Sequence, residues 1–276
     1  MQKNSYQFLH MESYALKKRK NSKRPTAEAV ARECQRTEHS YPHIQKPEKP
    51  ELLYGIKPLE ALDRLHGLIK NCKDPLGRKI RSDAQIVSFG IASIKVESTP
   101  ENWELPEVKK WLEDTENFLR QRFGDSFVSL VKHSDERFCH VHFCIMPRLN
   151  DDGKLDLNSF HPGLAAQRAI KSNSKSKKDF AYKEAMRELQ DQYFEDVGLK
   201  NGQLRHGPRR RRLTRHEWYA QKRYANLISN IVNEQSELIY KLSAKLEKAK
   251  HMLTNLITSK IPSLKKPSSH SEEFSS

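Results

Sequence analysis

Apolar and polar positions alternate along the chain with the short period of strands in some segments and the longer period of helices in others. Four segments are predicted to be strands: 5–16, 84–94, 125–133 and 140–147. Three carry apolar residues at helical spacing: 26–36, 58–73 and 106–124. Thr26 is placed to cap the first of these helices and Gly124 to end the third. The last two strands have a short connection, which predicts an antiparallel hairpin.

Two segments of the first half need separate interpretation. In the first strand, Tyr6, Phe8 and Met11 are the apolar positions around which polar residues alternate. Segment 39–55 carries three prolines, and it is expected to be irregular because each proline ring fixes φ and removes a backbone donor.

The second half of the chain is predicted to be largely helical. Residues 164–196 are charged and alanine-rich, with a polar interruption at 171–179. A basic linker at 201–212 precedes one long helix at 213–260, and residues 261–276 are expected to be disordered. Residues 1–200 are expected to form a single catalytic domain.

The long helix carries an apolar stripe on a three-four repeat. Its members are Ile228, Ile231, Leu238, Leu242, Ala249, Met252 and Leu256. Gln235 and Lys245 interrupt the register, so the pattern predicts a coiled coil of limited strength and a possible homodimer.

Charge narrows the class of partner. The chain has 50 Lys and Arg against 35 Asp and Glu, a net charge of +15. A surplus of this size favours a polyanionic partner, and nucleic acid is favoured over a membrane surface because neither terminus carries a basic amphipathic anchor. The beginning of the chain resembles no signal peptide and no segment is long enough for a membrane span. Four cysteines without a C-x-x-C pair favour a reduced, cytoplasmic protein.

The most informative motif is a histidine cluster at the predicted hairpin. His140 and His142 lie two apart on a strand, so both side chains project from one face. His133 ends the preceding strand and can return to that face. Three neutral imidazoles that converge make a site for Zn²⁺, Mn²⁺, Ni²⁺ or a similar ion. A structural zinc site usually has four protein ligands, often thiolates, so three histidines favour an open site that can bind a substrate oxygen.

Two carboxylates, Asp135 and Glu136, lie in the connection between these strands. Such groups can accept a ligand N–H or orient an attacking group. Beside a basic surface, an open metal site of this kind can polarise a scissile phosphate while a side chain attacks phosphorus.

The segment from His133 to His142, HSDERFCHVH, resembles the H-x-D-E-x-x-P-H-x-H motif of the Mob/Pre (MobV) plasmid-mobilisation relaxases, a family of the HUH endonuclease superfamily. The family proline is Cys139 here, a change that loosens the turn without removing a ligand. Weaker similarities extend over roughly residues 5–220, and only the histidine motif is specific.

The resemblance implies an α+β fold, with a central antiparallel sheet flanked by helices and here followed by a long C-terminal helix. It implies His133, His140 and His142 as ligands of a divalent ion, with Mn²⁺ favoured and Mg²⁺, Ni²⁺ or Zn²⁺ as alternatives. Glu136 would orient or activate the nucleophile and Asp135 would support it. The implied reaction nicks one DNA strand at an origin of transfer, in the cytoplasm of a bacterium that carries a plasmid or other mobile element.

The nucleophile departs from the family pattern. Family members use a histidine in an N-terminal H-x-x-R-like segment, whereas the comparable stretch here has Arg32 and no histidine before it. His43 is favoured as the nucleophile. The alternatives are His39, Tyr41 and Tyr14, or a protein that has lost cleavage.

Two basic segments are predicted to contact phosphates of single-stranded and duplex DNA. The predicted contacts are Lys17, Lys18, Arg19, Lys20, Arg24, Arg209, Arg210, Arg211 and Arg212. His161 and His206 are interpreted as loop residues. Two other functions stay open, a non-catalytic DNA-binding or replication-control protein and a nuclease that uses water.

Overall fold

The computed structural model describes residues 5–18, 22, 24–41, 44, 46–206 and 215–260. The chain divides into two compact units, Met1–Ser229 and Asn230–Ser276. The first unit contains the sheet and the helices that pack on it. The sequence predicts a catalytic domain, a linker and a long helix, and this division stays a prediction.

A five-stranded antiparallel sheet forms the centre of the first unit. Its strands are Phe8–Ala15 (β1), Glu51–Gly55 (β2), Gln85–Glu97 (β3), Phe127–His133 (β4) and Phe138–Ile145 (β5). Their order across the sheet is β1-β3-β5-β4-β2, with every neighbouring pair antiparallel. The predicted hairpin of β4 and β5 is therefore present, and β5 is the central strand.

Helices flank this sheet, as the α+β prediction requires. The α-helices of the described residues are Ala27–Cys34 (α1), Pro58–Asn71 (α2), Pro100–Trp103 (α3), Pro106–Phe123 (α4), Pro162–Ala169 (α5), Lys175–Tyr193 (α6) and Arg215–Lys260 (α7). Thr26 caps α1 by accepting a hydrogen bond from the Ala29 N–H, and Gly124 ends α4 with a φ of 51°, as predicted.

The two faces of the sheet are buried in separate apolar clusters. On one face, Trp111 and Phe118 of α4 pack against strand residues that include Val141 and Phe143. On the other face, Leu62 and Leu65 of α2 lie in a cluster with Cys144. Since side chains alternate along a strand, β5 sends Val141 and Phe143 to the α4 face and His140, His142 and Cys144 to the opposite face.

Gly90 in the middle of β3 is required by this packing. A Cβ at that position would lie 2.1 Å from the ring of Phe143 and 2.6 Å from the carbonyl oxygen of His10. Any larger residue would push β1 or β5 away, so Gly90 keeps β3 closely packed between its neighbours.

The structure corrects two sequence-based expectations. In β1 the buried positions are Leu9, Met11 and Ser13, so Met11 points inward as expected, whereas Phe8 is only partly buried and Tyr6, before the strand, is 38% exposed. Segment 39–55 is not irregular throughout. Its last five residues form β2, which follows the final proline and pairs with β4.

The long helix is present as α7, Arg215–Lys260. None of the helices in the described part of the chain combines the length and the apolar character that crossing a bilayer requires.

Candidate metal centre

The sheet brings the three histidines of the motif together on one face. His133, the last residue of β4, lies directly opposite His140 of β5 in the antiparallel register. His142 lies two residues further along β5, on the same side as His140. The centres of the His133 and His142 rings are 4.3 Å apart, and the ring of His140 lies 5.3 Å from that of His133 and 5.1 Å from that of His142. The predicted convergence is therefore found.

Among the residues that the structure describes, each ring has one nitrogen without a hydrogen-bond partner. These atoms are His133 Nδ1, His140 Nε2 and His142 Nε2, and all three are buried. Together with a carboxylate oxygen of Glu136 they lie within 4.8 Å of one another. Buried polar atoms are normally hydrogen-bonded, so three unpartnered nitrogens this close together are an arrangement that one shared metal ion would satisfy.

The opposite nitrogen of each ring is held by the protein. His133 Nε2 lies 2.7 Å from the carbonyl oxygen of Cys34, and His140 Nδ1 lies 2.9 Å from that of Phe138. A carbonyl only accepts, so both of these nitrogens carry a proton, and in the neutral form of each ring the inward nitrogen carries the lone pair. His142 Nδ1 lies 3.5 Å from Cys34 Sγ. In metal sites, the ring nitrogen that does not bind the metal is typically held by a contact of this kind, which fixes the direction of the ring.

Burial keeps at least two of the rings neutral. Desolvation lowers the pKa of His133 to about 4, with the charge of Arg36 acting in the same direction. Desolvation also lowers the pKa of His142 well below its usual value. A neutral imidazole is the form that binds a metal ion, so at neutral pH both rings are ready to act as ligands.

The two carboxylates of the turn have different surroundings. The Asp135 side chain is 1% exposed, and both its oxygens accept hydrogen bonds of 2.8 Å from the Arg36 guanidinium. The Glu136 side chain is 34% exposed, and its Oε1 accepts a 2.7 Å hydrogen bond from Arg36 Nη2. The same Oε1 lies 3.5 Å from His140 Nε2 and 4.0 Å from His133 Nδ1, too far for well-formed hydrogen bonds. Glu136 therefore lies beside the histidines, whereas Asp135 joins the β4–β5 connection to Arg36.

Both carboxylates stay ionised in this setting. His140 and then Arg36 hold the pKa of Glu136 far below its usual range, although burial opposes them. Burial would raise the pKa of Asp135, but the hydrogen bonds and charge of Arg36 outweigh it and lower that pKa.

Arg36 is the site residue that the sequence interpretation missed. Arg32, the arginine singled out there, instead pairs with Glu28 at 2.8 Å on the exposed side of α1. Arg36 lies just beyond α1 with a φ of 51°, and its side chain is only 2% exposed. The sequence offers one signal for Arg36, its position four residues after Arg32. Residues four apart share a face of a helix only while the helix continues, and α1 ends at Cys34, so Arg36 can point in a different direction from Arg32.

The donor set fits a borderline divalent ion. Three imidazole nitrogens and one carboxylate oxygen are ligands suited to Mn²⁺, Zn²⁺, Ni²⁺ or Fe²⁺. The three nitrogens have almost no contact with solvent, and Glu136 is the most exposed member of the group. A position left open for substrate therefore stays a prediction, with its entry on the Glu136 side.

The nucleophile candidates occupy different places. His43 lies outside the described residues. The His39 side chain is 91% exposed beside Glu38, and Tyr41 is half-buried. Tyr14 packs edge-on against Phe89, and burial raises the pKa of its hydroxyl to about 12, which disfavours ionisation. None of the described candidates is therefore placed against the histidines by a contact.

A histidine that the sequence interpretation passed over lies on the face of the sheet that carries the three histidines, here called the metal face. His10 of β1 is opposite Ile91 of β3, which is opposite His142 of β5. Its side chain is 53% exposed, and its Nε2 lies 3.3 Å from Glu12 Oε1. Since one strand separates it from His142, the two backbones are about 10 Å apart.

The predicted DNA contacts are only partly within the described residues. Lys17, Lys18 and Arg24 are exposed, after the end of β1. Lys17 lies seven residues beyond His10, so it is roughly 20 Å along the strand from the row of His142. The other predicted contacts, Arg19, Lys20, Arg209, Arg210, Arg211 and Arg212, lie outside the described residues.

Comparison with solved structures finds several complexes of the MobM relaxase domain and one structure of another description. The chain is similar to the MobM relaxase domain (MOBV; Mob_Pre) bound to pMV158 oriT DNA in a Mn-bound crystal structure, with 16% identity, a TM-score of 0.46, and coverage of 78% of this chain and 98% of that one. A second MobM–oriT complex gives 14% identity, a TM-score of 0.42, and coverage of 76% and 95%. A structure described as the molecular basis of vancomycin resistance transfer in Staphylococcus aureus gives 14% identity, a TM-score of 0.35, and coverage of 70% and 94%.

The family assignment comes from the sequence itself. Among proteins of curated function, none matches this chain significantly. Residues 11–226 match the sequence model of the family described as "plasmid recombination enzyme", Mob_Pre, which spans most of the chain and includes the whole histidine motif. The chain therefore belongs to the Mob/Pre family of plasmid recombination enzymes, as the motif predicted.

Proposed function

We propose that this protein is a metal-dependent relaxase that nicks one DNA strand at a plasmid origin of transfer by transesterification. The observation that carries the proposal is the set of three buried, unpartnered imidazole nitrogens that face one point beside Glu136. Family membership supports DNA as the substrate. MobM, a family member, is described as bound to oriT DNA and to Mn, and the same partners are proposed here.

His133, His140 and His142 would hold the ion, with Mn²⁺ favoured and Mg²⁺, Ni²⁺ or Zn²⁺ as alternatives. When bound, the ion supplies polarisation of the scissile phosphate and stabilises the charge that develops there. The hydrogen bonds to the Cys34 and Phe138 carbonyls fix the direction of two rings before any ligand arrives. Such fixed orientation reduces the reorganisation that the reaction would otherwise need.

A side-chain nucleophile attacks phosphorus, the bond to the 3′-oxygen breaks, and the 3′-hydroxyl leaves with a proton from solvent. The 5′-phosphoryl group stays on the protein, and this link conserves the bond energy for rejoining. We propose His43 for this role, with Glu136 as the group that orients it and Asp135 as the support of Glu136. His10 is the alternative, because it is exposed on the metal face and paired with a carboxylate.

The remaining parts of the proposal concern the surroundings of the site. Lys17, Lys18, Arg24 and the basic residues outside the described ranges are proposed to bind phosphates of single-stranded and duplex DNA. The setting is proposed to be the bacterial cytoplasm.

One experiment separates the relaxase from the two other functions. An oligonucleotide that carries the origin strand and a label on the 3′ side of the nick is incubated with the protein and Mn²⁺. A denaturing gel that shows a covalent adduct supports the relaxase. Cut ends without an adduct would indicate a nuclease that uses water, and a complex that never cuts would indicate a DNA-binding protein. Mass spectrometry of the DNA-linked peptide then identifies His43, His10 or another residue.

His140 gives the sharpest test of the metal centre. We expect His140→Ala to abolish adduct formation and to weaken Mn²⁺ binding, because one of the three proposed imidazole ligands is lost. Calorimetric titration with Mn²⁺ measures the affinity, and the gel measures the adduct.

The matched control is His66→Ala, which removes an exposed histidine of α2. It should leave both readouts unchanged. Full activity with one bound ion per chain in His140→Ala would refute the assignment.

A further inference from the structure

The segment from the end of α5 into α6 carries a dense, unneutralised positive charge. Residues 171–183 include five lysines: Lys171, Lys175, Lys177, Lys178 and Lys183. Asp179 is the one carboxylate in this segment, and it accepts a hydrogen bond from Gln167 Nε2 at 3.5 Å. Within the described residues, no ion pair joins any of the five lysines to a carboxylate. The charge is therefore available to an anionic partner.

An exposed aromatic ring lies inside this charged segment. Phe180 is 66% exposed on α6. Lys177 and Lys183 are each three residues away, so all three side chains lie along one face of the helix. A ring between two ammonium groups offers a flat apolar surface and charge together, which is the combination that proteins use to bind single-stranded nucleic acid.

The helix that carries this surface is attached both to α4 and to strand β1. Near its end, Tyr193 is fully buried, and its hydroxyl lies 3.2 Å from Trp111 Nε1 and 3.0 Å from Thr115 Oγ1. Gln190 Nε2 donates to the carbonyl oxygen of Leu9 in β1 at 2.9 Å. A fixed helix presents Phe180 without the entropic cost of ordering a loop.

The attachment also relates the surface to the metal face. β1 is an edge strand of the sheet, and α6 lies beside it. The exposed side chains of β1, His10 and Glu12, belong to the same face of the sheet as the three histidines. The buried residues Leu189 and Tyr193 of α6 belong to the apolar cluster on the α4 face, so a strand that leaves the metal centre reaches α6 by passing around the edge of the sheet at β1.

We propose that Phe180 is a stacking platform for one unpaired base of single-stranded DNA, with Lys177 and Lys183 binding the phosphates on either side. The proposal rests on the proposed function, because it gives a path to the strand that the metal centre would cut. The two lysines lie about 9 Å apart along the helix axis. Flexible lysine side chains can close that span onto the phosphates of one nucleotide. Because every base has a π face, contact of this kind tolerates any sequence.

The first test removes the ring in the full-length protein. We expect Phe180→Ala to weaken binding of a labelled single-stranded oligonucleotide by about 5- to 100-fold, as the loss of one stacked base predicts. Fluorescence anisotropy measures the affinity. Phe180→Trp keeps a stacking surface and should bind as tightly as the unchanged protein. Equal affinity of the Ala variant would overturn the proposal.

The second test removes the charges. We expect Lys177→Gln with Lys183→Gln to lower the slope of log affinity against log salt by about 1.4, since each phosphate contact on a single strand contributes about 0.7. The matched control is Lys109→Gln with Lys110→Gln on α4, because these two lysines already pair with Glu104 and Asp114. The control removes the same charge and should leave the slope unchanged.

Two further measurements keep this proposal separate from the proposed function. In the Phe180 and lysine variants, the Mn²⁺ affinity and the yield of adduct at saturating DNA should equal those of the unchanged protein, because none of these residues touches the histidines. If the unchanged protein bound no single strand, the proposed function would fail as well. If only the lysine variants lost affinity, or if the same variants lost binding to phosphatidylserine vesicles and not to DNA, the stacking platform would be wrong.

Discussion

At the scale of single residues, the site depends on an arginine in a strained backbone conformation. A φ of 51° is uncommon for a residue with a side chain and costs of the order of 1–3 kcal/mol. Arg36 offsets this cost because its guanidinium donates to both Asp135 oxygens and to Glu136. The turn that carries the carboxylates is thereby tied to the end of α1, and Glu136 is held at the edge of the three histidines.

The first residue-scale prediction concerns that tie. Arg36→Gln leaves the buried Asp135 without its ionic partner, so we expect the free energy of unfolding at neutral pH to fall by roughly 3–5 kcal/mol. Mn²⁺ affinity should fall with it, because Glu136 is no longer held. Urea denaturation of the metal-free protein and Mn²⁺ titration measure the two effects.

Arg32→Gln is the matched control for this change. Arg32 also pairs with a glutamate, but both side chains are more than half exposed, so its loss should cost less than about 1 kcal/mol. Equal losses in the two variants would show that Arg36 contributes no more than a surface ion pair.

The sequence predicted the convergence of the three histidines but not the contact of Arg36, and the reason is separation along the chain. His133, His140 and His142 lie within ten consecutive residues, so strand alternation alone brings them to one face. Arg36 meets Asp135 across 99 residues, and only the packing of α1 on the sheet creates that contact. Local pattern carries no information about such a pair.

At the scale of elements, strong periodicity was a reliable guide and isolated short segments were not. The bounds of α1, α2, α4, β3 and β4 agree with the apolar pattern within a few residues. β2 was missed because it has five residues after a proline-rich stretch, and it becomes a strand only by pairing with β4. Its formation is set by tertiary structure rather than by local preference.

The start of α5 shows how an element can depend on one buried histidine. His161, interpreted from sequence as a loop residue, is fully buried and caps this helix. Its Nδ1 accepts a hydrogen bond from the Leu164 N–H at 3.3 Å, and its Nε2 lies 3.4 Å from the Tyr182 hydroxyl. A ring nitrogen that accepts must be unprotonated, so the cap requires the neutral ring.

This cap predicts a pH dependence of stability. Desolvation lowers the pKa of His161 to about 4 from a usual 6.5. Above pH 6.5 the ring is neutral in both states, and below it the unfolded chain binds the proton first, so stability is lost as pH falls from 6.5 towards 4. From pH 7 to 5 we expect this one group to cost about 2 kcal/mol.

The measurement compares His161→Asn with the unchanged protein by urea denaturation at pH 7 and pH 5, with a chelator present. Asparagine is a good helix cap without a titratable ring, so its variant should lose about 2 kcal/mol less over this interval. His133 and His142 titrate in the same direction, but they are present in both proteins and cancel in the difference. Identical losses in the two proteins would exclude His161 as a source of the dependence.

At the scale of the whole molecule, the two units have different sources of stability. The first unit buries an apolar cluster on each face of its sheet. In the second unit, the described side chains from Asn230 onward are almost all exposed, including Leu238, Leu242 and Met252. A single helix with an exposed apolar stripe gains little from burial and is only marginally stable by itself. The three-four repeat in the sequence predicts this apolar stripe but does not indicate which surface packs against it.

We propose that a second copy of the chain covers the stripe, so that residues 225–257 form a homodimer. Leu242→Glu places a charge in the centre of the stripe, and two such charges in a dimer would be buried without partners. We expect it to weaken the dimer by at least about 100-fold, or roughly 3 kcal/mol. Tyr240→Glu is the matched control, because Tyr240 is 77% exposed and lies on the opposite side of the helix from Leu238 and Leu242. Sedimentation equilibrium at micromolar concentration should show a dimer for the unchanged protein and the control and a monomer for Leu242→Glu. A monomer in all three would mean that the stripe has some other partner.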